Sequence, residues 1–101
     1  MGEDAFWDVA EEFLARDGVE QGTMFGFRCI RADGEFVAMP GNRFGGMVVK
    51  LPADRVAGLI EDGIGSSIAP AGRPFKEWVG VNDDSLWRRL IEESIRFVTK
   101  G

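Results

Sequence analysis

Two stretches of this chain bring cationic and aromatic side chains together. The first, Lys50-Leu51-Pro52-Ala53-Asp54-Arg55-Val56, spans a strand end and a helix start. The second, Gly72-Arg73-Pro74-Phe75-Lys76-Glu77-Trp78-Val79, leads into a strand. Lys50 and Arg55 lie about one helical turn apart across Pro52, where a helix N-terminus adds partial positive charge. With Arg73 they form a candidate site for an anion or for a partner's carboxylate, with Trp78 as an apolar wall. The same residues support a plainer arrangement, in which Arg55 or Arg73 pairs with Glu77 or Asp54 and Trp78 packs in the interior.

Other chemistry finds little support. Gly63-Ile64-Gly65 lacks the third glycine of a dinucleotide fingerprint and follows a helix rather than a strand. Gly41 to Gly46 contains no Gly-Lys-Ser/Thr and does not form the known phosphate-binding loop. Ser66 and Ser67 have no histidine to activate them, because the chain contains none. Cys29, the single cysteine, sits among aromatics in a strand, where a small buried hydrophobe is the default. Asp83-Asp84 and Glu92-Glu93 lack calcium-loop spacing and read as caps and solvated faces. The expectation is a non-enzymatic domain with no catalytic residues, no metal and no cofactor.

The chain has 101 residues, the size of one domain, so residues 1–101 are read as a single unit. Hydrophobic residues at 45% and charged residues at 29% argue for a packed globule rather than disorder. No apolar run reaches the roughly 18 residues of a membrane span. The acidic start, Met1-Gly2-Glu3-Asp4, is unlike a basic signal peptide, and the expected location is cytoplasmic. Charge is uneven: residues 1–20 carry seven acids against Arg16, or −6, and the rest carry ten acids against eleven bases, or +1. An acidic first helix works against phosphate neutralisation, which disfavours direct nucleic-acid binding.

Periodicity supplies the frame for the candidate residues. Phe6, Val9, Ala10, Phe13 and Leu14 recur at helical spacing and predict a helix over 4–17, with Gly18 as its cap. Residues 23–31 and 35–40 read as strands joined by an Asp33-Gly34 hairpin. In that alternation Phe25, Phe27 and Cys29 share one face; Met24, Gly26, Arg28 and Ile30 share the other. Residues 41–46 form a turn, and Met47 to Leu51 a third strand. Pro52 opens a helix over Ala53 to Asp62 with Val56, Leu59 and Ile60 inward, Gly58 in a close contact and Gly63 as the stop. Ser67 to Ala69 is a short strand. Phe75 to Val81 is another, with Phe75, Val79 and Val81 on one side and Lys76 and Trp78 on the other. A last helix, capped by Asn82 or Asp83, runs to Thr99 with a stripe of Leu86, Trp87, Leu90, Ile91, Ser94, Ile95 and Val98. The order α-β-β-β-α-β-β-α predicts an α+β fold, a largely antiparallel sheet packed by helices.

Met24-Phe25-Gly26, Gly34-Glu35-Phe36-Val37-Ala38, Val49-Lys50-Leu51-Pro52 with Arg55, the Gly63 stop, and Gly72-Arg73-Pro74 followed by Glu77-Trp78-Val79 carry a resemblance. In this order over about residues 5–100 the chain resembles the N-terminal domain family of TfoX/Sxy, proteins associated with regulating bacterial competence. The resemblance implies a sandwich like that of secretion chaperones, a homodimer, and a role in transcription regulation through a protein partner. Full-length regulators of that type act together with the cyclic-AMP receptor protein and carry a second, helical domain, so this chain corresponds to the single-domain form. The family offers no established catalytic residues. Met24, Phe25, Gly26 and Pro52 enter as motif residues; Lys50, Arg55, Arg73, Glu77 and Trp78 are the ligand or partner candidates.

Two functions remain in view. One is a regulatory or protein-interaction domain, with Trp7 and Trp87 as further contact candidates that could equally be core. The other is a sensor of an anionic metabolite built on the basic and aromatic patch.

Overall fold

The computed structural model of the chain describes residues 2–24, 26–41, 46–69 and 72–99. Along the chain come α1 (Gly2–Leu14), β1 (Val19–Met24), β2 (Phe27–Ala32), β3 (Glu35–Pro40), β4 (Met47–Lys50), α2 (Ala53–Glu61), β5 (Gly65–Ser67), β6 (Trp78–Val81) and α3 (Trp87–Thr99). A single 3-10 turn, Asp84–Leu86, leads into α3. The strands form one open sheet in the order β1-β2-β3-β4-β6-β5, antiparallel at every step. The α+β class predicted from periodicity is the one observed.

All three helices cover one face. Phe6, Ala10 and Phe13 of α1, Val56 and Leu59 of α2, and Trp87, Leu90, Ile91 and Ile95 of α3 pack on Ile30, Val49, Val79 and Val81. The α3 stripe falls where its spacing places it, and Trp87 is core, with its Nε1 donating to Val81 O at 2.9 Å. Ion pairs tie the helices together at the rim: Arg16 with Glu92, Arg88 with Glu12, and Arg55 with Glu93.

The opposite face carries a thinner layer of Cys29, Phe36, Met39, Val48 and Trp78, covered by Ile68, with Met24 and Phe75 at its margin. A bulge in β3 assigns the residues. Ile30 is paired with Ala38 and Arg31 with Phe36, which leaves Val37 as the extra residue. Val37 and Ala38 therefore both join the helix-covered core, while Phe36 and Met39 lie on the other side. Ser94 of α3, fully buried, donates from Oγ to Val37 O at 3.2 Å.

Several boundaries differ from the sequence expectation. The strand expected over 23–31 is two strands, β1 and β2, paired from Met24↔Phe27 to Val19↔Ala32. Gly26 has φ +80°, a backbone state that glycine adopts at little cost, and the chain reverses there. Met24 consequently lies on the side of Cys29, not with Ile30. Ile60 is 39% exposed rather than inward, and a Cβ at Gly58 would meet nothing within 4 Å, so no close contact explains that glycine. The strand expected at Ser67 to Ala69 starts two residues earlier, as β5. Phe75 precedes β6 and joins the side of Trp78, because residues 76–77 form a turn. The Asp33-Gly34 hairpin is as expected, with φ of 52° and 84°. Gly41 N–H donates to Gly46 O at 3.1 Å; residues 42–45 of that expected turn lie outside the described residues. No helix among the described residues is long and apolar enough to cross a membrane.

Candidate functional site

The face left uncovered by helices holds part of the predicted constellation. Lys50 ends β4 directly opposite Trp78 of β6, so strand alternation sends both side chains to that face. Leu51 N–H donates to Glu77 O at 2.8 Å, which fixes the chain entering β6 beside the chain leaving β4. Trp78 stacks on Phe36, with ring centroids 4.6 Å apart and planes 27° apart, and meets Phe75 edge-on at 4.9 Å. Lys50 Nζ lies 3.9 Å from Glu77 Oε1, a loose ion pair. Lys50, Ala53, Phe75, Lys76, Glu77 and Trp78 line an open depression of about 430 Å³.

Three of the five candidates, Lys50, Glu77 and Trp78, therefore come together, and two do not. Arg55 turns toward α3, donating from Nε to Glu93 Oε1 at 3.0 Å and from Nη2 to Oε2 at 3.2 Å. This bidentate grip raises the Arg55 pKa, with the Glu93 hydrogen bonds as the main cause. The expected partners Glu77 and Asp54 are not its side-chain partners; Asp54 Oδ1 accepts from the Arg55 backbone N–H instead. Arg73 is exposed and does not line the depression. Sequence reasoning left Ala53, Phe75 and Lys76 out of the candidate set. For Lys76 the signal was present, since alternation put it on the side of Trp78, whereas the turn at 76–77 concealed Phe75.

Among the motif residues, Pro52 precedes α2 with φ −56°, the value its ring dictates. Gly26 makes the reversal between β1 and β2, Met24 borders the thin apolar layer, and Phe25 lies outside the described residues.

Cys29 is fully buried, and burial is the first cause that pushes its thiol pKa up, with Arg31 opposing. Asp83 accepts from Ser85 N–H at 3.1 Å and from Ser85 Oγ at 2.6 Å, which holds its carboxyl below the usual range. It caps the 3-10 turn rather than α3 itself. Glu92 accepts from Arg16 through both oxygens, and Glu93 serves Arg55. No group of three or more metal-ligating side chains gathers among the described residues. Trp7 is half-buried, edge-on to Phe6, with the Arg28 guanidinium 4.5 Å over its ring.

No protein-family model, no curated protein and no solved structure matches this chain.

Proposed function

We propose that the chain is a non-enzymatic regulatory or protein-interaction domain, related to the N-terminal domain of TfoX/Sxy regulators, that acts in the cytoplasm by contacting a protein partner. The observation that carries this reading is the depression on the helix-free face. It is lined by the aromatic residues Phe75 and Trp78 together with Lys50, Ala53, Lys76 and Glu77. Aromatics beside charges of both signs match the composition of protein contact sites, where aromatics anchor and charges set orientation. A role in transcription regulation rests on the resemblance, and homodimerisation belongs to the same reading.

The anionic-metabolite sensor has less support, because Arg55 is committed to Glu93 and Glu77 partly neutralises Lys50. Two lysines and one carboxylate leave a net charge of +1 in the depression, weak for capturing a multiply charged small anion.

Affinity capture with wild-type and Lys76→Glu chains tests the proposal. Lys76 is exposed, so its reversal leaves the fold intact. The expected result is a specific protein retained by wild type and lost by Lys76→Glu. Retention by both chains would remove the depression as the contact site. A thermal shift with acidic metabolites that disappears in Lys76→Glu would replace the reading with the sensor.

A further inference from the structure

The outer strand of the sheet carries a feature that the proposed contact site does not use. β1 is at one edge of the sheet, paired only with β2. Gly18 O accepts from Asp33 N–H at 2.8 Å on the inner side, whereas Val19 N–H donates to Arg16 O at 3.3 Å, away from β2. In an antiparallel ladder this alternation turns the peptide groups of Gln21 and Thr23 outward. β1 contains neither proline nor lysine, the residues that usually blunt such an edge.

Arg31 stands in their place. It belongs to β2, opposite Glu20, and its side chain crosses β1 over Gly22. A Cβ at Gly22 would lie 2.7 Å from Arg31 Cδ and 2.8 Å from Nε, so only glycine leaves the path clear. The guanidinium then donates from Nη2 to Thr23 O at 2.7 Å and from Nη1 to Gly34 O at 2.9 Å. An outward carbonyl is thus capped by a charged fork anchored at the β2–β3 turn.

We propose that Arg31 is an edge guard, which keeps β1 from pairing with β1 of a second copy of this chain. The second copy is the fitting occupant because an antiparallel pair is self-complementary about a two-fold axis. Centred on Gly22, it sets Gln21 opposite Thr23 and Glu20 opposite Met24, so the Gln21 N–H of one copy meets the Thr23 carbonyl of the other and no carboxylate meets a carboxylate. The guard is independent of the partner site and of the homodimer proposed above, since Arg31 does not line the depression and a dimer formed through another surface leaves the outer edge of β1 unpaired.

Sedimentation velocity over a concentration series, with hydrogen exchange at the Gln21 amide, tests this on the full chain. Arg31→Ala should self-associate about tenfold more tightly than wild type, the change one freed hydrogen-bonding group can produce. Its Gln21 amide should exchange more slowly as concentration rises. Gly22→Ala, which displaces the Arg31 side chain, should move in the same direction. Arg73→Ala, which removes an equal charge at an exposed bend outside the sheet, should sediment as wild type does. Unchanged sedimentation of Arg31→Ala overturns the proposal, and so does an equal gain in Arg73→Ala or a wild-type chain already protected at Gln21 by association. Should Arg31→Ala fail to fold by circular dichroism, Arg31→Lys decides: tighter association supports the guard, and none overturns it.

Discussion

The two faces of the sheet are built from similar residue types and differ in what covers them. On one face three helices bury Phe6, Phe13, Trp87, Leu90 and Ile91 against the strands, and ion pairs between helices close the rim. On the other, Ile68 packs with a thin layer of Cys29, Phe36, Val48 and Trp78, and Phe75 lies at its margin. Trp87 is 2% exposed with its ring nitrogen satisfied by Val81 O, while Trp78 is 9% exposed and forms a wall of an open depression. Stability is concentrated on the covered face, and the thin face has area to spare for contact.

Substituting the two tryptophans tests this contrast most strongly. Trp87→Ala should cost about 3–5 kcal/mol in chemical denaturation, because it opens an enclosed cavity and removes a buried hydrogen bond. Trp78→Ala should cost about 2–3 kcal/mol, since water can enter the space left behind. Equal losses would mean that the thin face is as much a core as the other.

A smaller effect is expected at Cys29, which lies under the thin layer. Cys29→Ser should cost about 1–2 kcal/mol by placing a hydroxyl among apolar side chains. The native thiol should react with a labelling reagent only after denaturation, because it is fully buried and its pKa is raised. Rapid labelling of native protein would show that the thin layer over Cys29 opens readily.

The smallest effect concerns the rim of the covered face. Arg16 holds the Glu92 carboxyl below the usual range, mainly through its hydrogen bond. A lowered folded-state pKa means the folded chain favours the ionised carboxyl. The contribution is present above the ordinary glutamate range and fades as pH falls through the lowered value. Glu92→Gln should therefore flatten the acid limb of a plot of Tm against pH, by a modest amount because the pair is solvent-accessible.

Much of this frame was legible in the residues. The helical stripe of α3, the positive φ demanded by Asp33-Gly34 and the start of α2 after Pro52 each follow from local chemistry. The break between β1 and β2 was hidden, because Met24-Phe25-Gly26-Phe27 continues an acceptable alternation and the reversal depends on φ at Gly26. The bulge at Val37 was hidden too, since an extra residue shows itself only through the partner strand. At the site, strand alternation put Trp78 and Lys76 on one side, but the position of Arg55 was set by Glu93, 38 residues away on another helix. Pairings of that kind are decided by how helices dock, which no local spacing encodes.

The hydrogen bond from Ser94 to Val37 makes the last helix a proofreader of the third strand. Were β3 to slip by one residue, a different side chain would face α3 and the Ser94 hydroxyl would lose its acceptor, a fault of about 1–3 kcal/mol in a dry interior. Correct sheet register and docking of the final helix are thereby coupled, so a chain with β3 mispaired seats its own C-terminal segment less firmly.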